Sequence, residues 1–238
     1  MGILSKRLSA LAGMVKENSM VIDVGTDHGL IPVFLAQNGS CQRIIASDIK
    51  DGPLQSAVAN AAAHGVSSCV EFMLSPGLEG VSAGDVDTVI IAGMGGQTII
   101  SVLSEATWIK AKDIKLILQP QTKLFELLHW LFENGFQISD AKLISEDGRI
   151  YTAFSAEISE ETLAPDAFFD ILLKNQDPLL DEYLTKLIAK LQKELNGKLS
   201  ATTSADLAEI RALLKKLAHI KNLIPELHKE ESSYDNCK

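Results

Sequence analysis

Between residues 20 and 135 the chain alternates short apolar runs with segments of helical periodicity, and few folds accommodate such a rhythm. Met20 to Val24 is an apolar run ending in Gly25, and an apolar helical segment from Leu30 to Gln37 follows, with Pro32 in its first turn. Arg43 to Ser47 and the Ala-rich stretch Leu54 to His64, closed by Gly65, repeat the pattern. A third run, Cys69 to Leu74, leads into Ser75-Pro76-Gly77, and a fourth, Thr88 to Ala92, into Gly93-Met94-Gly95-Gly96 and another helix. Leu116 to Leu118 is a fifth, stopped by Pro120, and Leu124 to Glu133 is its helix, ending at Gly135. This predicts an α/β architecture, a doubly wound and mostly parallel sheet with helices on both faces.

The rhythm changes at both ends. Leu4, Leu8, Leu11 and Val15 recur at helical spacing and predict an amphipathic helix from about Ser5 to Glu17, with Lys6 and Arg7 on its polar face. Phe136 to Ser145 and Arg149 to Glu157 flank Glu146-Asp147-Gly148, whose Asp-Gly pair signals a hairpin, so the sheet finishes with an antiparallel strand. Beyond Ser159, leucines at 180, 184, 187, 191 and 195 mark one helix, and Leu207, Ile210, Leu214 and Leu217 another. The polar link Asn196 to Thr203 contains Gly197 and predicts an antiparallel, coiled-coil-like helical hairpin. The expected domains are 1–159 and 160–238.

With 46% apolar and 22% charged residues, the 238-residue chain can bury a substantial core and is not generically disordered. No apolar run approaches the ~20 residues of a membrane-spanning helix, and the first 19 residues lack a secretory apolar region. Lys6 stands where a myristoylation signal wants Ser or Thr. Cys41, Cys69 and Cys237 show no metal-like or redox spacing, so the expectation is a cytoplasmic protein with reduced thiols and no metal. The net charge of -9 conceals a segment from Lys186 to Lys221 with eight basic and three acidic residues, to which a polyanion can be steered. An ordinary solvated helix face has the same pattern.

The stretch Asp23-Val24-Gly25-Thr26-Asp27-His28-Gly29 follows the first strand directly. Glycines there let a ligand approach the backbone, and the next helix offers unpaired N–H groups. Its D-x-G-x-x-x-G spacing is not the dinucleotide fingerprint. Asp23 and Asp27 would repel a pyrophosphate but accept a cationic amino acid moiety. Asp48 ends the second strand 23 residues after Gly25. An acid there accepts both hydroxyls of a ribose, although an isolated Asp also serves as a helix cap. Gly93-Met94-Gly95-Gly96 follows the fourth strand, next to the first at the switch point of such a sheet, unless it is only a tight turn.

These features resemble the class I methyltransferases that use S-adenosyl-L-methionine, which share the glycine loop, the acid after strand two and the closing antiparallel strand. More closely, Ser5-Lys6-Arg7-Leu8, the Asp23–Gly29 loop, Ala92-Gly93-Met94-Gly95-Gly96, Gln119-Pro120-Gln121 and Glu146-Asp147-Gly148-Arg149 together resemble the bacterial tRNA (adenine(22)-N1)-methyltransferases over essentially the whole chain. The resemblance implies a Rossmann-like fold, S-adenosyl-L-methionine as cofactor and tRNA as partner. Asp23, Gly25 and Gly29 would hold the methionine part, Asp48 the ribose, and Gly93 with Met94 the region of the transferable methyl, with Thr26, Ile49 and Gly95 as further cofactor contacts. Many relatives have Gly-Asp after strand three where this chain has Ser75-Pro76, so the cofactor adenine would be read by backbone near Leu74 and Ser75. The Asn-Pro-Pro-Tyr motif of amino-directed methyltransferases is absent, and a ring nitrogen does not need it.

Asp27 is the candidate to stabilise the cationic product ring or accept an N6 proton, and His28 to bond the base edge or shape the loop. Lys6 and Arg7, with Lys190, Lys193, Lys215 and Lys216, are the candidate tRNA grips, unless Arg7 enters the pocket. The oligomeric state is left between monomer and weak dimer. The competing readings are a methyltransferase acting on another RNA, a protein or a small molecule, and a non-catalytic coiled-coil interaction protein on the same scaffold.

Overall fold

The computed structural model describes residues 4–111, 113–159, 167–200, 214, 215, 218 and 220–223. Seven strands form one sheet: β1 (Ser19–Val24), β2 (Cys41–Asp48), β3 (Glu71–Leu74), β4 (Thr88–Gly95), β5 (Lys115–Thr122), β6 (Phe136–Glu146) and β7 (Arg149–Ile158). Their order is β3-β2-β1-β4-β5-β7-β6. The first five run parallel, and β7 pairs antiparallel with both β5 and β6. The chain builds outward from β1 to β3 and returns to lay β4 beside β1, so the connections part at the carboxyl ends of those two strands.

Buried strands need apolar side chains on both faces, and the central ones have them. Val89, Ile90 and Ile91 of β4 and Leu116, Ile117 and Leu118 of β5 are all inaccessible to solvent. Around the sheet lie α1 (Lys6–Ala12), α2 (Leu30–Asn38), α3 (Asp51–Ala63), α4 (Gly96–Glu105) and α5 (Leu124–Glu133). In α2, Ile31, Val33 and Leu35 are buried, and Gly39 ends the helix in the left-handed conformation.

Three elements depart from expectation. The first helix is shorter: it begins at the Ser5 cap, whose hydroxyl accepts from the Leu8 amide, and stops at Gly13 rather than running to Glu17. β5 is not stopped by Pro120 but passes through it to Thr122, because Pro120 faces Met94 where the register shifts and no ladder N–H is required. For the same reason Gly93-Met94-Gly95 is no turn but a bulged extension of β4.

One compact unit spans Met1–Leu172, and a second begins at Leu173. The expected boundary near residue 160 falls in 160–166, outside the described residues. Helix α6 (Ala167–Lys174) precedes α7 (Leu180–Ser200). Leu180, Leu184, Leu191 and Leu195 of the leucine stripe are buried. α7 continues through Gly197 to Ser200, so the link begins later than the sequence suggests; one glycine in a long, well-patterned helix lowers its propensity without breaking it. Of the expected second arm, Leu207, Ile210 and Leu217 lie outside the described residues. Leu214 is exposed, whereas Ile220 and Leu223 are buried. Among the described residues no helix is long and apolar enough to cross a membrane.

Candidate functional site

The loop after β1 is tied to β2: the Gly25 and Thr26 amides both donate to the Ser47 carbonyl, at 2.8 and 2.9 Å. This fixes the loop beside Asp48, the last residue of β2. The Asp48 carbonyl accepts from the Ser75 amide at 3.0 Å, which brings in the turn after β3. The bulged end of β4 closes the other side. Together these strand ends enclose a cavity of about 560 Å³, within the ~300 to 1,000 Å³ range of small-molecule sites.

Its polar groups are specific. Asp48 is 8% exposed, and its carboxylate accepts from the Lys50 amide at 2.9 Å and the Asp27 amide at 3.4 Å, so it is fixed at the cavity edge with lone pairs to spare. It does not cap the following helix, where Lys50 holds the cap position. Asp23 is deeper and accepts from the Thr26 hydroxyl at 2.7 Å. Burial pushes its carboxyl up to about 6; the Thr26 bond opposes this and the Asp48 charge adds to it. Gly25 has φ of 72°, and a Cβ there would lie 2.3 Å from the Met94 methyl carbon, so the bare backbone leaves room for the thioether.

Asp27 and His28 project from the same loop into solvent at the rim. Their side chains are 70% and 64% exposed, with Oδ2 and Nε2 3.8 Å apart. The His28 carbonyl accepts from Asn60 of α3 at 2.9 Å, which anchors the loop from below.

Arg7 enters the cavity, as one of its two expected placements had it. Its backbone N–H donates to Glu146 Oε2 at 2.8 Å, so the hairpin acid caps the start of α1. Its Nη1 donates to the buried Gln119 Oε1 at 2.9 Å, and the guanidinium lies 5.6 Å from the centre of the Tyr151 ring. Three motifs distant in sequence thus meet at one side chain.

The cavity is bordered by Asp23, Gly25, Thr26, Asp27, His28, Asp48, Ile49, Ser75, Gly93 and Met94 besides Arg7. Four expected residues lie elsewhere. Gly29 is buried against α3, where a Cβ would come within 2.8 Å of the Ala57 Cβ. Leu74, Gly95 and Lys6 do not border the cavity. Lys190, Lys193 and Lys215 are exposed in the second unit, and Lys216 lies outside the described residues. Lys50, Thr98 and Gln121 border the cavity without having been singled out for the site. The motif Gln119-Pro120-Gln121 carried the signal for Gln121, but a strand ending at Leu118 concealed it. Among the described residues there is no cluster of three or more metal-type side chains.

The profile of the methyltransferase domain family matches residues 4–154. The tRNA (adenine(22)-N(1))-methyltransferase of Bacillus subtilis is 29% identical over 233 residues, covering 94% of this chain and 96% of its own. A Streptococcus pneumoniae protein solved in complex with S-adenosyl-L-methionine is 33% identical with a TM-score of 0.74, covering 92% of this chain and 99% of its own. The crystal structure of the B. subtilis M1A22 tRNA methyltransferase TrmK is 26% identical with a TM-score of 0.80, covering 93% and 99%.

Proposed function

The chain belongs to the methyltransferase domain family and, within it, to the tRNA (adenine(22)-N1)-methyltransferases, and from that membership we propose that it methylates N1 of an unpaired adenine in tRNA, using S-adenosyl-L-methionine. The observation that carries this reading is the pairing of Asp23 and Asp48 around the bare backbone of Gly25 in a single cavity.

The residues fit this cofactor. Asp48 has lone pairs left for a ribose diol. Asp23 and the loop after β1 suit an ammonium group and would repel a pyrophosphate. Ser75 spends its hydroxyl on the Glu79 carbonyl at 2.7 Å, so an adenine beside β3 would be met by backbone and by the exposed Ile49 side chain. When bound, the cofactor supplies an electrophilic methyl group on a cationic sulfur.

Adenine N1 has a free lone pair at neutral pH, so the chain needs no strong base. Its task is to hold the base in line and exclude water, an effect that can reach ~7 to 11 kcal/mol. Asp27 presents a carboxylate at the rim to a ring that becomes cationic, and His28 beside it offers a ring nitrogen to the base edge.

N1 is hidden in a paired or stacked nucleotide, so the target must be unpaired or flipped, and the RNA must be gripped elsewhere. Lys6 and Arg7, with Lys190, Lys193, Lys215 and Lys216, are the proposed phosphate contacts, which makes residues 160–238 a tRNA-binding region. A tRNA substrate supports a cytoplasmic site of action.

Incubation with radiolabelled S-adenosylmethionine and bulk tRNA, followed by mapping of the modified base, tests the proposal. Label at adenine N1 is the expected result, and label confined to protein or metabolites would overturn it.

A further inference from the structure

Resting on the methyltransferase reading above, we propose that Gln121 selects the target base by bonding the N6 and N7 edge of adenine, leaving N1 free to react. Gln119 and Gln121 flank Pro120 near the end of β5, where the register with β4 shifts and Gln121 is left without a paired residue. Their amides differ in employment. The Gln119 amide is engaged at both ends, accepting from Arg7 at 2.9 Å and donating to the Pro120 carbonyl at 3.2 Å. Gln121 is exposed, borders the cavity, and its amide has no hydrogen-bond partner among the described residues. A Cβ on Gly93 would lie 3.7 Å from Gln121 Nε2 and 4.0 Å from Arg7 Nη1, so both groups flank a stretch of bare β4 backbone where a flat ring can settle.

The sheet order decides which adenine this amide meets. Asp48 ends β2, whereas Gln121 lies on β5, three strands away across β1 and β4. At the usual strand spacing that is ~14 Å, too far for the base of a nucleoside whose ribose is held at Asp48 and whose adenine extends toward β3. Gln121 therefore belongs to the substrate side.

A carboxamide accepts from N6–H and donates to N7 simultaneously. Neither bond occupies N1, whereas a reader on the Watson–Crick edge would block the reacting lone pair. Guanine presents two acceptors, O6 and N7, so one half of the amide would face the wrong partner. Arg7, the side chain that would suit guanine, already spends Nη1 on the Gln119 oxygen and lies against the Tyr151 ring.

The experiment compares the wild-type protein with Gln121→Leu on tRNA transcripts carrying adenine or 7-deazaadenine at the target position. Cofactor affinity by calorimetry and thermal melting are followed for both proteins. The wild type should lose about tenfold in kcat/KM on the 7-deaza substrate. Gln121→Leu should be about tenfold or more slower on adenine, lose nothing further on 7-deazaadenine, and bind S-adenosylmethionine as the wild type does. Undiminished kcat/KM in Gln121→Leu, or an equal 7-deaza penalty in both proteins, overturns the inference alone. A wild type that transfers no methyl to tRNA overturns the methyltransferase reading and this inference with it.

Discussion

The Thr26 hydroxyl donates to Asp23 Oδ2 at 2.7 Å beneath the loop after β1, and this bond does not fully compensate the burial of the acid. The Asp23 carboxyl stands at about 6, against an ordinary value of 3.8. An acid with a raised folded-state pKa keeps its proton in the folded protein while the unfolded chain has already lost it. Its contribution to stability is thus fully present below about pH 4 and declines as pH rises to 6. The remaining penalty is on the order of 3 kcal/mol at neutral pH. Asp23→Asn should therefore melt several degrees higher than the wild type at pH 8 and equally at pH 4. The same substitution removes the charge that receives a cationic ligand. Calorimetry should show S-adenosylmethionine affinity reduced, and in the wild type that affinity should fall as pH is lowered below 6. Equal melting temperatures at pH 8 would show that Asp23 is not strained by burial.

Asp48 holds the rim through the Lys50 and Asp27 amides and keeps lone pairs for a diol. Asp48→Ala removes the acceptor of two amides that belong to the exposed residues Lys50 and Asp27, so the fold should survive with a loss of ~1 to 2 kcal/mol. Cofactor affinity should fall by about a hundredfold, since two charge-assisted bonds are removed. Unchanged calorimetric affinity would show that the ribose is held elsewhere.

The readable parts of the sequence were those governed by local rules. Apolar runs bounded by glycine placed β1 to β4 to within a few residues, and Asp48 followed from its position at a strand end. The obscured parts needed a partner strand. Pro120 reads as a stop until Met94 is seen opposite it at a bulge, and Gln121 reaches the cavity border only because β5 extends past that proline. Glu146 looked like a turn residue, yet it caps α1, 139 positions away in sequence from the Arg7 amide it accepts.

Two glycines should respond differently to substitution. At Gly25 the new methyl would meet the flexible end of Met94, which can move, and the main cost is the left-handed backbone at φ of 72°, ~1 to 2 kcal/mol. At Gly96 the added Cβ would lie 2.5 Å from the Lys123 carbonyl oxygen and 2.9 Å from that of Thr122, which are backbone atoms that cannot rotate aside. Gly96→Ala should destabilise more than Gly25→Ala in chemical denaturation. Gly25→Ala should nonetheless lose more cofactor affinity, and the opposite ranking in both measurements would refute this account.

Glu146 should behave as a cap and an anchor at once. Its carboxyl is held below the usual range by the Arg7 amide first, with smaller help from Ser5 and the Arg7 charge. An acid lowered in this way stabilises the fold fully above its ordinary pKa and loses that contribution as pH falls from there through the lowered folded-state value. Glu146→Gln should lower stability at pH 7 by ~1 kcal/mol, and the difference from the wild type should shrink as the solution is acidified below the ordinary carboxylate range. Because Arg7 is aimed at the cavity by this contact, the variant should also slow methylation of tRNA while leaving S-adenosylmethionine binding intact.

Lys186, Lys190 and Lys193 recur on α7 at spacings of four and three and are all exposed, so they share one face. Lys186 is engaged with Glu182 at 2.6 Å, which leaves Lys190 and Lys193 as the stronger phosphate candidates. If these contact tRNA together with Lys215 and Lys216, binding should weaken steeply with salt, each phosphate contact contributing about -0.7 to -0.9 to the slope of log K against log salt. Replacing the four lysines by glutamate should flatten that slope by several units and weaken tRNA binding at least a hundredfold at low salt, with cofactor affinity unchanged. Filter binding across a salt series measures both quantities. A slope and affinity equal to the wild type would remove this region from the RNA interface and leave Arg7 and its neighbours as the grip.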